Sequence, residues 1–293
     1  MPYLSFSYQS GGWEERARKL VCWAARDASA DRARHGALFI ATSALDTDAA
    51  ENNCREMDFH LLSKRIAGWL DWCGPVYLVS TACTSGINAI LSALALLRSG
   101  SVNEALVLGI ELDNQLTVPG FAALRLLTKD RSKPFAKDRD GLVLGEGVTA
   151  LRLSTHEISS WRFLNGANVV DGSQPTGATQ AAVVTMCQRA LAASGIEASQ
   201  IDLVKVQAAG SPLNDAIEAA GLRQVFSRLP GLVSLKPFIG HCMGASGAAE
   251  IALLLSCLDQ GVWPACPDAS DPALGVHLAA AGPPPIQRLL ATL

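Results

Sequence analysis

One cysteine in this chain is placed to do chemistry. In Val79-Ser80-Thr81-Ala82-Cys83-Thr84-Ser85-Gly86, an apolar run over residues 76–79 reaches a cysteine in a turn of small residues. A long apolar helical pattern follows over residues 87–97. Strand, sharp turn, nucleophile and helix set a reactive side chain at a helix N-terminus. There the unpaired backbone N–H groups and the positive dipole end favour a thiolate. The chemistry predicted is therefore nucleophilic, with Cys83 as the attacking group. The remaining cysteines of the eight lack this context. Cys22, Cys187 and Cys257 sit in apolar helix-like patterns, where cysteine acts as a small hydrophobe. No C-x-x-C pair occurs, so zinc is not expected, and no other metal or cofactor site is expected either. The glycine-rich residues 240–247 carry no GxxxxGK[ST] phosphate loop. Their small side chains are expected to let a helix pack closely on a sheet.

The elements that must position Cys83 can be read from periodicity. The 293 residues are 49% apolar and 17% charged, which predicts a sizeable core and excludes general disorder. A net charge of −3 argues against a general nucleic-acid binder. No apolar run reaches membrane-spanning length, and the N-terminus has no basic start followed by an apolar core. A cytoplasmic protein is expected. Helices are predicted over residues 13–27, 58–72, 87–97, 179–194, 214–226 and 240–258. Buried-type strands are predicted over 37–42, 76–79, 105–110, 148–153, 201–206 and 232–235, with 161–170 extended. Residues around Pro119-Gly120 read as a long loop leading into a basic segment with Arg125, Lys129, Arg131, Lys133 and Lys137. The last residues, rich in proline and glycine, allow only a short terminal strand. Strands alternating with helices predict an α/β fold of mainly parallel sheets covered on both faces. Two similar halves are expected, 1–155 with Cys83 and 156–293.

Four ordered segments then carry a resemblance. Ser80-Thr81-Ala82-Cys83-Thr84-Ser85-Gly86 resembles the nucleophile motif of the β-ketoacyl-acyl carrier protein synthases of the thiolase-fold superfamily. Lys133-Pro134-Phe135 through Asp138-Arg139-Asp140-Gly141-Leu142-Val143-Leu144-Gly145-Glu146-Gly147 resembles that family's "RPFD…RDGFVLGEG". Gln207-Ala208-Ala209-Gly210-Ser211-Pro212-Leu213-Asn214-Asp215 stands where the family has "HGTSTPLGD". Lys236-Pro237-Phe238-Ile239-Gly240-His241 through Gly244-Ala245-Ser246-Gly247-Ala248-Ala249-Glu250 is similar to "KS…GHxxGAAGxxE". Together they span about residues 15 to 280 and imply a thiolase-like fold with αβαβα layers.

The resemblance implies a decarboxylative Claisen condensation. A cysteine takes an acyl chain from a carrier protein, and two histidines stabilise the enolate formed as a malonyl carrier loses CO2. By position the nucleophile is Cys83 and the second histidine His241, with Lys236 and Glu250 behind it. Gln207 replaces the first histidine. Gln can donate an N–H but cannot become cationic or shuttle a proton. The family's closing "NSFGFGG" turn has no counterpart here, and its opening strand and helix are largely missing before Trp13, so a fold truncated at both ends is expected.

The leading reading is a ketosynthase-like, chain-length-factor-like subunit. It would act with a full-length ketosynthase as a heterodimer, or with itself, in fatty acid, polyketide or aryl polyene assembly. The dimer is expected to use the strand near residues 105–111. The basic segment would belong to a docking surface for an acyl carrier protein. An active 3-oxoacyl synthase or Cys83–His241 acyltransferase is the alternative, and a purely structural scaffold is a third.

Overall fold

The computed structural model describes residues 3–6, 11–44, 47, 58–173, 177–282 and 285–293. Cys54 and parts of the predicted 172–177 loop and of the proline run at 283–285 lie outside the described residues.

The N-terminal region gives β1 (Tyr3–Leu4), α1 (Trp13–Asp27), β2 (Ala37–Ala41), α2 (Phe59–Trp69), β3 (Val76–Val79), α3 (Ser85–Arg98) and β4 (Glu104–Glu111). Next come α4 (Thr117–Ala123), β5 (Leu144–Gly145) and β6 (Gly147–Ser154). The C-terminal region gives α5 (Gln180–Ser194), β7 (Leu203–Lys205), α6 (Pro212–Val225), β8 (Gly231–Val233), α7 (Lys236–Ile239), α8 (Ser246–Asp259) and β9 (Leu289–Ala291). One sheet has the order β3-β2-β4-β6, with only the β4–β6 pair antiparallel. A second has the order β8-β7-β9 and is all parallel, and β1 and β5 form a parallel two-stranded sheet.

The central strands β2, β4 and β7 are buried on both faces, which is why they read as unbroken apolar runs. Leu38, Ile40, Leu106 and Leu108 pack under α1 and α2. Their neighbours Ala37, Phe39, Ala105 and Val107 turn to the opposite face, against α3 and α8. In the second sheet Leu203 and Val233 face Leu254 of α8. Val204 and Leu232 face α5 and α6. The layers are thus α1/α2, sheet, α3/α8, sheet, α5/α6. This is the αβαβα order.

Four expectations are corrected. Residues 117–123 form a helix rather than a loop. Pro119 lies in its first turn, where a backbone N–H has no intrahelical partner to lose. Residues 161–170 run without joining a sheet. The strand at Glu104–Glu111 is paired on both sides, by β2 and β6, so it offers no free edge to a partner. Among the described residues the open edge of that sheet is β3, with Tyr77 42% exposed.

The fourth correction concerns residues 240–258, which are not one helix. Gly240 takes φ +71°, and a 3₁₀ turn at Met243–Ala245 precedes α8. The small residues here bring helix against helix. A Cβ on Gly86 would stand 2.7 Å from the Ala248 backbone N, and one on Gly247 2.8 Å from the Ile87 N. The N-terminal ends of α3 and α8 therefore cross with their backbones nearly touching. That contact sets the two halves of the site together.

Candidate active site

Cys83 sits at the end of β3 in a turn whose backbone is strained. Ala82 has φ +52°, a conformation costing about 1–3 kcal/mol for a residue with a side chain. Hydroxyl groups hold the turn. Ser85 Oγ donates to the Ala82 carbonyl at 2.6 Å and accepts from the Thr81 N–H at 2.9 Å. Thr84 Oγ1 donates to the Thr81 carbonyl at 2.6 Å, and Asn88 Nδ2 reaches Thr81 Oγ1 at 2.8 Å. These contacts explain why the motif needs small hydroxyl residues around the cysteine.

His241 meets Cys83 from the other side. Its backbone runs alongside β5 in a parallel bridge to Leu144: its N–H donates to the Val143 carbonyl at 2.7 Å, and its carbonyl accepts from the Gly145 N–H at 3.1 Å. The imidazole is 4% exposed. Nε2 lies 3.1 Å from Cys83 Sγ, and Nδ1 lies 2.9 Å from Ser246 Oγ.

The electrostatics decide which protons are where. Burial and the Lys236 ammonium push His241 down to about 3, against the pull of Glu250. Burial pushes the Cys83 thiol up to about 11; Lys236 lowers it while Glu111 and Glu250 raise it. Both shifts favour the neutral forms, in which Cys83 S–H donates to Nε2 and Nδ1–H donates to Ser246. Desolvation here opposes the thiolate that the N-terminal end of α3 favours.

Behind the imidazole lies a group of charges with no exposed surface. Lys205, Lys236 and Glu250 are each 0% exposed. Lys205 Nζ donates to Glu250 Oε2 at 2.7 Å, and Lys236 Nζ donates to Oε1 of the same carboxylate. Burial opposes ionisation of Glu250, but the two ammonium groups overcome it and hold its pKa below the usual range. Lys236 also reaches Gln207 Oε1 at 3.2 Å. The Gln207 N–H is fixed by Glu218 Oε1 at 2.8 Å and Thr292 Oγ1 at 3.2 Å.

The sequence-derived residues Cys83, His241, Lys236, Gln207 and Glu250 therefore come together, in a chain of contacts broken only between His241 and Lys236. Among the described residues no cluster of metal-binding side chains occurs. Sequence reasoning missed Lys205, whose signal was a lysine inside a buried strand run. It also missed Glu111, which is 4% exposed. The Glu111 carboxylate accepts from Thr42 Oγ1 at 2.9 Å, from Ala44 N at 2.8 Å, from Gly244 N at 2.6 Å, and from Ser43. It ties the loop after β2 to the turn before α8. A cavity of about 640 Å³ opens beside the nucleophile turn, lined by Thr84, Ile87, Leu91 and Leu94 along α3 and by Phe163 and Leu255 opposite.

Comparison with known proteins agrees with this geometry. Residues 30–158 match the β-ketoacyl synthase N-terminal domain, and residues 157–269 match the β-ketoacyl synthase C-terminal domain. Erythronolide synthase EryA2 of Saccharopolyspora erythraea is 34% identical over 224 residues, 70% of this chain and 6% of that protein. The mitochondrial 3-oxoacyl-[acyl-carrier-protein] synthase of Arabidopsis thaliana is 32% identical over 217 residues, 65% of this chain. The chain spans 46% of the length of that plant enzyme. Among solved structures, the ishigamide ketosynthase/chain length factor superposes with TM-score 0.78 at 23% identity, covering 94% of this chain and 79% of that one. The ketosynthase ApeO in complex with its chain length factor ApeC, from Xenorhabdus doucetiae, gives 0.73 at 22% identity, covering 98% and 82%. With both domains of one family matched in order along the chain, and the thiolase-like layers and Cys–His contact in place, this protein belongs to the β-ketoacyl synthase family.

Proposed function

We propose that this chain is a ketosynthase-family subunit that still takes an acyl group on Cys83 and works beside a complete ketosynthase, in the manner of a chain length factor. The observation that carries this reading is the 3.1 Å contact of Cys83 Sγ with His241 Nε2, with an amide, Gln207, held by Lys236 at the position where the family resemblance puts another histidine. The first half of the chemistry is equipped. As Sγ attacks a thioester carbonyl, neutral His241 accepts the thiol proton. When the tetrahedral adduct collapses, the bond to the carrier sulfur breaks and that sulfur takes the proton back from His241. The apolar cavity along α3 supports the seating of an acyl chain. The second half is depleted. Decarboxylation of a malonyl carrier needs donors aimed at the enolate oxygen, and a neutral amide replaces one imidazole. Loss of one such donor is worth about 2.7–4 kcal/mol.

The partner role is supported by β3, an open sheet edge with exposed Tyr77 next to the nucleophile turn. The two solved neighbours above, named as ketosynthases with chain length factors, favour the same role. On this reading the halves 1–155 and 156–293 are thiolase-like halves, and the pathway is fatty acid, polyketide or aryl polyene assembly in the cytoplasm. The acyl donor is an acyl carrier protein docking near the basic segment. Within that segment Arg131 is paired with Asp268, and Lys133 with Asp138 at 2.8 Å.

A second reading, a Cys-dependent acyltransferase or 3-oxoacyl synthase acting alone, is favoured by the same Cys83–His241 contact. The test is to purify the chain alone and with a full-length ketosynthase, supply acyl and malonyl carriers, and read intact mass and product length. The proposal expects an acyl adduct on Cys83, lost in Cys83→Ala, and efficient condensation only with the partner. Efficient condensation by the isolated chain would support the second reading instead. If Cys83→Ala changed stability alone, neither would stand.

A further inference from the structure

Behind His241 two buried lysines share one carboxylate, while the other buried carboxylate nearby, Glu218, acts on Lys205 only from a distance. A Lys236–Glu250 pair would already be neutral, and removing a second ammonium from water is costly. Lys205 therefore needs a reason, and the geometry supplies one. An ammonium has three N–H donors and no acceptor. Lys236 spends one on Glu250 Oε1 and another on Gln207 Oε1. If Lys205 did not occupy Glu250 Oε2, that buried oxygen would lack its 2.7 Å partner. It would draw Lys236 across the face of the carboxylate and away from Gln207.

We propose that Lys205 is a positioning residue of this site: by occupying one oxygen of Glu250 it leaves Lys236 free to hold Gln207 Oε1, and so sets the Gln207 amide. The orientation of that amide is forced by chemistry, since a donor-only ammonium can face only its oxygen. Its NH2 group is turned away from the lysines as a neutral donor whose state does not change with pH. The Gln207 main chain is independently pinned by Glu218 and Thr292, so side-chain torsion is the only freedom left to fix. The relay runs Lys205, Glu250, Lys236, Gln207. Its two ends lie two residues apart in the chain, Lys205 closing β7 and Gln207 beyond it, but make their contacts through the other two residues.

The functional part of this proposal rests on Cys83 accepting an acyl group; the structural part does not. Removing Lys205 leaves the Lys236–Glu250 pair balanced, so Lys205→Met should fold, and Lys205→Gln serves as the second neutral variant. Two measurements are made. In the first, acyl transfer from an acyl-N-acetylcysteamine thioester to Cys83 is followed by intact mass. Lys205→Met should lower the maximal rate about tenfold with the half-saturating concentration unchanged, short of the 10²–10³ expected for losing a donor outright. The Lys205→Met/Gln207→Leu double variant should be no slower than Gln207→Leu. In the second, the Gln207 side-chain ¹H–¹⁵N signals, identified by their loss in Gln207→Leu, should shift in Lys205→Met and Lys205→Gln and return in Lys205→Arg. Multiplicative rate losses in the double variant, or Gln207 amide signals unmoved by neutralising Lys205, would overturn the proposal. If no variant is acylated, the functional reading fails, while the amide signals still decide the role of Lys205.

Discussion

The reactivity of Cys83 toward a small neutral alkylating agent tests the electrostatics of the whole site. With the thiol near 11 instead of near 9, the free-energy cost of forming the thiolate rises by about 2.7 kcal/mol. At pH 8 about one Cys83 in a thousand is ionised, and alkylation by iodoacetamide should run about a hundredfold slower than for an exposed thiol. The rate should climb about tenfold per pH unit from 6 to 10 with no plateau. The sign of two substitutions follows. The Lys236 ammonium lowers the Cys83 pKa, so Lys236→Met should slow alkylation further. His241 is neutral at rest and shields Sγ from water, so His241→Ala should speed it. Peptide mass mapping against a Cys83→Ser control isolates this thiol from the other cysteines. A plateau near pH 7 in the wild type, with slower alkylation in His241→Ala, would mean a thiolate–imidazolium pair at rest. It would refute the assignment of protons given above.

The remaining predictions concern the frame of the site. Glu111→Gln turns one acceptor oxygen toward several donors as an NH2 group and leaves buried N–H groups unpaired. It should cost about 3–4 kcal/mol, or about 10 °C in Tm by calorimetry. Gly86→Ala places a methyl 2.7 Å from the Ala248 N; α3 and α8 must part, and both Tm and the Cys83 acylation rate should fall together. Tyr77→Lys puts a charge on the open edge of β3. It should abolish association with a ketosynthase partner in analytical ultracentrifugation while leaving Tm within about 1 °C.

Much of this fold was legible because the central strands β2, β4 and β7 are buried on both faces. Residues 37–42 and 76–79 read as strands from apolar runs alone, the first one residue longer than β2, and α1 was bounded correctly by its periodicity. The errors arose where tertiary contact overrides local pattern. Residues 240–258 have helical composition throughout, yet His241 is held alongside β5 by main-chain bonds to Val143 and Gly145. No local pattern encodes that. The site residues were legible by spacing and resemblance, but their protonation was not. A helix start favours a thiolate in water, and only the three-dimensional packing around the half-buried Cys83 shows the desolvation that opposes one. Lys205 and Glu111 escaped because each looks like an ordinary residue of a strand, and their partners lie 45 and 67–133 positions away.

The charge arrangement also bears on why such a site would work beside a complete enzyme. Taking an acyl group requires one proton to leave sulfur and return to the departing thiol, and a neutral imidazole at 3.1 Å does both. The transfer develops no lasting charge that a second imidazole must hold. Decarboxylation differs, because an enolate oxygen gathers negative charge and each donor aimed at it counts. Here the second position holds an amide whose oxygen is occupied by Lys236, so it offers only neutral N–H groups. The cations that could answer an enolate, Lys205 and Lys236, have no exposed surface and are committed to Glu250. On the proposed reading, a site built this way keeps the step that loads a chain and weakens the step that extends it. If the chain is loaded here and extended elsewhere, Gln207→His should raise condensation by the isolated chain far more than it changes Cys83 loading. Equal gains in both steps would show that position 207 limits loading as much as extension, and the division of labour would fall.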